Sequence, residues 1–196
     1  YENDVKAPLL RFVEDFDERL ESLSPHFVAD PRPVGGSMFR IYRDVRFSKD
    51  KTPFKTNAGL QFRPEAGKNA HAPGLYMHIE PGQAFGGGGI WHPDAATLGK
   101  IRGAIVDQSS EWESVTTDPE LLNRHELGGS SLKRPPRGYD PDHPFIDDLK
   151  KKDHFASARY TEKEVSSPDF IDQFTADCFS IEPYLRFLTE AADFPF

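Results

Sequence analysis

Leu75-Tyr76-Met77-His78-Ile79-Glu80, closed by Pro81-Gly82, alternates apolar and polar residues without a break. Leu75, Met77 and Ile79 share one face and Tyr76, His78 and Glu80 the other, the period of a strand whose one side is packed on a core. Pro81-Gly82 is turn chemistry, so a further strand is expected after it. Downstream, Gln83 to Phe85 and Ile90-Trp91 flank the run Gly86-Gly87-Gly88-Gly89, and His92-Pro93-Asp94 reads as a helix start. Upstream, Leu60 to Phe62 is a short strand candidate, followed by a polar linker to Pro73. Met38 to Phe47, delivered by Asp30-Pro31-Arg32-Pro33 and Gly35-Gly36-Ser37, is rich in Ile, Tyr, Val and Phe and is predicted as a strand. A last strand is placed around Phe155 to Tyr160.

Helical periods lie outside this central block. Val5, Leu9, Phe12, Val13, Phe16, Leu20 and Leu23 recur at threes and fours, with Pro8 in the first turn or at a kink and Ser24-Pro25 as the stop. Leu98, Ile101, Arg102, Ile105 and Val106 give a second stripe, Trp112 to Asn123 one or two helices with Asp118-Pro119 as a fresh start, and Asp140 to Pro144 a turn into a short helix through Leu149. After Ser167-Pro168, residues Phe170, Phe174, Cys178, Ile181, Leu185 and Leu188 keep helical spacing, and Pro183 is expected to restart the helix. Strands in the middle and helices at both ends predict an α+β fold, a central antiparallel sheet flanked by helices from both chain ends. At 196 residues a single domain over residues 1–196 is expected.

Composition bounds the function. Sixteen Phe among 196 residues compensate for an apolar fraction of 37% and predict an aromatic-rich core. A net charge of −8 argues against general binding to a nucleic-acid backbone, although a local basic groove stays open. The lone Cys178 falls in an apolar helical stripe and is expected to be a buried, inert thiol; one cysteine cannot close an intramolecular disulfide, which fits a reducing cytoplasm. No run of eighteen apolar residues occurs, so no membrane span is expected, and since no charged-then-apolar stretch opens these residues, no signal peptide is expected either. Because residues 1–10 already read as helix interior, the natural chain is expected to extend upstream of Tyr1.

Charge is unevenly spread. Residues 40–55 hold six basic and two acidic side chains, a local +4 that leaves −12 for the rest of a chain at −8. In strand geometry Ile41, Arg43, Val45 and Phe47 share one face, so Arg43 is the odd member of an apolar row and has to meet a carboxylate, carbonyls or an anion. Lys133, Arg134 and Arg137 form a second cluster with no acid between Leu132 and Tyr139. Planar guanidinium groups bind phosphate or carboxylate through paired hydrogen bonds, so Arg40, Arg43, Arg46 and Lys51, joined by Lys133 and Arg134, are the candidate anion-binding set. The bland counterpart is a set of cations that only pair with Asp44 and Asp50. His78 and Glu80, on one strand face, are the candidate acid/base pair. The glycine run followed by a helix start resembles a phosphate cradle in outline but lacks both nucleotide-binding fingerprints, and a strand bulge or close backbone packing against aromatic residues is the competing expectation. No zinc or serine-hydrolase motif is present, and neither a metal nor a cofactor is expected.

The pattern Arg40-x-x-Arg43-Asp44-x-Arg46-Phe47-x-x-x-Lys51-x-x-Phe54 resembles the R-x-x-R-D-x-R-F-x-x-x-K-x-x-Y signature of a mostly bacterial family, domain of unknown function 2461. The resemblance continues through Tyr76 to Gly82, Gly87 to Pro93, Arg102 and Leu132 to Tyr139. Phe54 stands where the signature has Tyr, so this chain lacks any chemistry of that hydroxyl. Family members usually carry a further helix with an Asn-Asn-x-x-Trp-Phe type motif ahead of the present Tyr1; the resemblance implies no function. The expectation is therefore a cytoplasmic protein with an Arg/Lys-lined pocket for an anionic, phosphate- or carboxylate-bearing small molecule, held or also turned over. The alternatives are a nucleic-acid-binding or protein-interaction module, with Tyr42, Trp91 and Tyr139 stacking on bases, and cations that purely brace the fold.

Overall fold

The computed structural model describes residues 1–67 and 71–196; part of the polar linker expected before Pro73 thus lies outside the described residues. A six-stranded sheet, ordered β1-β2-β3-β4-β6-β5, has every neighbouring pair antiparallel. Its strands are β1 (Phe27–Val28), β2 (Ala58–Pro64), β3 (Gly74–Glu80), β4 (Gln83–Ile90), β5 (Glu126–Gly128) and β6 (His154–Tyr160). A π-helical segment (Glu2–Lys6) leads into α1 (Ala7–Leu23), and the other α-helices are α2 (Ala95–Asp107), α3 (Ser109–Thr116), α4 (Pro119–Arg124), α5 (Ile146–Leu149), α6 (Glu162–Val165) and α7 (Phe170–Ala191). This is the expected α+β fold, with α1 and α7 contributed by the two ends of the chain.

Alternation places Leu75 and Met77 of β3 in the core, as read from sequence, together with Leu60 and Phe62 of β2 and Ala156, Ala158 and Tyr160 of β6. Against that face pack Val13, Phe16 and Leu20 of α1 and Phe174, Cys178, Ile181, Leu185 and Leu188 of α7. Phe16 sits 4.8 Å from Phe62 and 5.2 Å from Phe174, centroid to centroid, so the many phenylalanines form one cluster between sheet and helices. Burial of each such ring stabilises by about 1.5–3 kcal/mol. Cys178 is fully enclosed there, and burial pushes its thiol up, which keeps it protonated and inert.

Three local expectations need correction. Proline 183 does not restart the last helix: α7 runs unbroken through it. Buried residues on both sides of the proline, from Phe174 to Leu188, dock on the sheet, and that packing outweighs a penalty of about 3 kcal/mol. The glycine run is the body of β4 rather than a phosphate cradle at a helix start, and the competing expectation of close backbone packing against aromatic residues holds. A Cβ on Gly86 would lie 2.8 Å from Phe174 and one on Gly88 3.2 Å from Ile181, so these two glycines admit α7 close to the sheet. The helix start after Trp91 is as read: Asp94 caps α2 by accepting from Thr97 N at 2.8 Å.

Residues 38–47 are not a strand. Isolated bridges, Met38 with Leu60 and Tyr42 with Phe54, tie them to the returning chain, along with bonds from Arg43 N to Pro53 O and Lys55 N to Ile41 O. Residues 40–54 thus form an irregular hairpin arm. Side-chain acceptors take the backbone donors that a ladder would use: Asp44 accepts from Arg46 N and Asp50 from Thr52 N. Pro53 has no donor at all. The alternation survives without the strand, since Ile41, Arg43 and Val45 are half-buried and Arg40, Tyr42, Asp44 and Arg46 exposed, but Phe47 is 95% exposed.

Candidate functional site

The sheet face opposite α7 bears a cleft of about 650 Å³. Strand alternation and register decide its lining. Gln61 of β2 pairs with Tyr76 of β3, Tyr76 with Gly87 of β4, and Gly87 with Ser157 of β6. On one side of this row lie Phe85 and its partner Arg159; on the other lie Gly74, Gly89 and Phe155. Phe39 and Lys55, the two roots of the arm, and Trp91, just past β4, complete the walls.

Among the described lining residues, Lys55 and Arg159 carry charge and none is acidic. Lys55 Nζ lies 5.5 Å over the Phe39 ring, and burial, with the nearby Arg40 charge, lowers its pKa from the ordinary lysine value. Arg159 is exposed and forms no ion pair or hydrogen bond among the described residues. Two unneutralised cations thus face a largely aromatic hollow, where charge is screened less than on an open surface.

His78 and Glu80 are brought together, as the strand face required: His78 Nε2 stands 3.4 Å from Glu80 Oε1, within ion-pair range but without hydrogen-bond alignment. On its other side His78 Nδ1 is 3.1 Å from the Tyr76 hydroxyl and 3.3 Å from Asn57 Nδ2. With the Asn57 amide as donor, Nδ1 accepts and the ring proton sits on Nε2. His78 stacks on Phe85 at 4.7 Å. Neither His78 nor Glu80 lines the cleft, but Tyr76 and Phe85, which touch His78, do. Burial, and then the Glu80 charge, raise the Tyr76 pKa, so the phenol keeps its proton at neutral pH and serves as a hydrogen-bonding group on the cleft wall.

The six cations expected to bind an anion lie elsewhere. Arg43 is paired with Asp50, and Arg46 donates from Nε and Nη2 to Asp44 at 2.9 and 2.7 Å. Lys51 donates to Val45 O at 2.8 Å, and Arg40 is exposed on the same arm. Lys133 and Arg134 are exposed beyond β5, at the sheet edge opposite β1. None of the six lines the cleft. Nor do the three proposed stacking rings meet: Tyr42 packs on Phe54 at 5.5 Å on the arm, Trp91 stands at the cleft, and Tyr139 is half-buried against the core. Sequence reasoning missed Lys55, Tyr76, Ser157 and Arg159 as site residues. Tyr76 was within reach, since it shares the face of His78; Arg159 and Ser157 needed the register between β4 and β6.

Among the described residues no group of three or more His, Cys, Asp or Glu side chains could hold a metal ion, and no helix is long and apolar enough to cross a membrane. No curated protein matches the chain, and no solved structure does. Residues 1–187 match the model of the family described as "Conserved hypothetical protein (DUF2461)", and over that span the chain belongs to this family.

Proposed function

We propose that the cleft binds an anionic small molecule, carrying phosphate or carboxylate, at Lys55 and Arg159. The observation that supports this most is the lining itself: two cations without a carboxylate partner and no acidic residue among the described walls. A free anion there replaces the water around both cations and gains charge-assisted hydrogen bonds. The signature cations play a different part, because Arg43 and Arg46 already hold carboxylates of their own arm. Tyr76, backed by His78 and Glu80, supplies a neutral donor and acceptor beside the bound group, and turnover would run through that phenol. A reducing compartment, such as the cytoplasm, suits the unpaired Cys178.

The test is a melting-temperature screen against phosphorylated and carboxylated metabolites, followed by calorimetry on the hits. Binding is expected to weaken at least about tenfold in Lys55→Met and in Arg159→Met, and to persist in Arg46→Met. An anion whose affinity is unchanged in the Lys55/Arg159 double variant refutes the assignment.

A second reading has one observation in its favour. The arm exposes Tyr42, Phe47 and Phe54 beside Arg40, Arg46 and Lys49, a combination that stacks on bases and tracks a phosphate backbone. Binding of single-stranded oligonucleotides that falls steeply with salt and is lost in Phe47→Ser would support it; no binding at low salt removes it.

A further inference from the structure

The floor of the cleft is bare of side chains on the sheet face turned away from the core. Gly86 and Gly88 are explained by α7, but Gly87 and Gly89 face the other way, and Gly74 of β3 pairs with Gly89 while Ser157 of β6 pairs with Gly87. Three glycines and a serine therefore adjoin one another on three neighbouring strands. No larger residue could fill the gap: a Cβ on Gly87 would lie 2.0 Å from Ala156 O, and Gly89, at φ +142°, would bring one within 2.2 Å of His154 O. The close approach of the neighbouring strands' backbone therefore holds these positions to glycine and leaves exposed peptide planes as the floor.

Around the patch the walls are rings. Tyr76 and Phe39, 6.2 Å apart between centroids, stand on one side, Phe155 on the other, Phe85 at one end and Trp91 at the other. From Gly87 to Gly89 is about 7 Å along the strand, and from β3 to β6 about 9.5 Å, the footprint of one or two fused rings lying flat on peptide planes. The charged pair is off-centre: Arg159 pairs across the sheet with Phe85, and Lys55 lies over Phe39, so the cations stand away from the Trp91 end.

We propose that the cleft takes a planar aromatic or heteroaromatic acid, its ring face-down on Gly74, Gly87 and Gly89 and its acidic group turned toward Arg159 and Lys55. This deepens, and rests on, the anion assignment for the same cleft. The flat floor supplies shape, the rings supply apolar edge contact, and the two cations supply orientation.

Three probes of nearly equal size separate these parts in calorimetry on the full chain: 2-naphthoate, planar and charged; decalin-2-carboxylate, charged but puckered; and 2-naphthalenemethanol, planar but neutral. We expect 2-naphthoate to bind at least about tenfold more tightly than either of the others and to quench the fluorescence of Trp91. Ser157→Leu, which raises a side chain on the floor without disturbing a glycine, is expected to weaken 2-naphthoate by at least about tenfold with the melting temperature unchanged. Equal affinity for the two acids overturns planarity and leaves the anion assignment standing. Equal affinity for 2-naphthoate and the alcohol overturns the anion assignment instead. No saturable binding of any of the three at millimolar concentration overturns the proposal outright, even if the metabolite screen yields an aliphatic anion.

Discussion

His154, the first residue of β6, is fully buried, and among the described residues neither ring nitrogen has a hydrogen-bond partner. Trp112 meets it edge-on at 5.6 Å. Burial, reinforced by the Lys151 charge, holds its pKa down to about 4, from an ordinary value of 6.5. The folded state therefore keeps the imidazole neutral where the unfolded chain binds a proton. Below pH 6.5 the unfolded state takes up more protons, so stability falls as pH falls, until the folded imidazole itself titrates near 4. At pH 4.5 this one group removes about 2.5 kcal/mol of the stability present at pH 7, a large share of a typical domain's 5–15 kcal/mol. His125, also lowered by burial, adds loss of the same sign in that window.

Replacing His154 with Leu, of similar volume, removes the titration and the two unpartnered nitrogens together. Exchanging an unsatisfied polar group for an apolar one is neutral or stabilising. The variant is thus expected to be no less stable than the parent at pH 7 and to lose about 2.5 kcal/mol less between pH 7 and pH 4.5. Urea unfolding of both proteins at several pH values across this range measures the difference. Carboxylates interfere little, because the stability gained by a depressed one such as Glu164, held at about 2 by Thr161 and Gln173, is lost mainly below its unfolded value of 4.5, and that loss is common to parent and variant. Parallel pH profiles for parent and variant would refute the reasoning, since they would mean that His154 finds water or a partner.

Other positions give sharper or flatter responses. Arg43→Met removes an ion pair to Asp50 on an exposed arm and should change unfolding free energy by less than about 1 kcal/mol, leaving any ligand-induced melting shift intact. Asp153→Ala should cost about 2–4 kcal/mol in urea unfolding, because this buried carboxylate accepts from His92 N at 2.7 Å and from Ser130 N and Oγ, which would lose their acceptor. Gly86→Ala forces a methyl group against Phe174 and Tyr160 and is expected to lower stability by about 1–3 kcal/mol; an unchanged denaturation midpoint would show that α7 can back away.

The fold was readable wherever a period could be counted. Leu75 to Glu80 alternates, α1 and α7 repeat at threes and fours, and the element types and the fold class follow from these. β4 could not be counted, because four consecutive glycines carry no period, yet it is the central strand of the cleft. The arm failed for the opposite reason. Its residues have strand propensity and even alternate, but propensity says nothing of whether a neighbour supplies a ladder, and Asp44, Asp50 and Pro53 withhold it.

The site shows how linear charge density differs from charge available to a ligand. Residues 40–55 stand out in the sequence by six cations, yet Arg43 and Arg46 are answered at i+7 and i−2 by carboxylates of the same stretch, and Lys51 by a backbone carbonyl. Paired charges of this kind present only a weak field a few ångströms away. Arg159 and Lys55 are unremarkable in the sequence, the first isolated and the second at the margin of the stretch. Antiparallel register carries Arg159 across from Phe85, and the base of the arm holds Lys55 over Phe39, so both line one hollow that has no acidic residue among its described walls. A cation matters to a ligand by what fails to neutralise it, and that is fixed by strand register rather than by spacing along the chain.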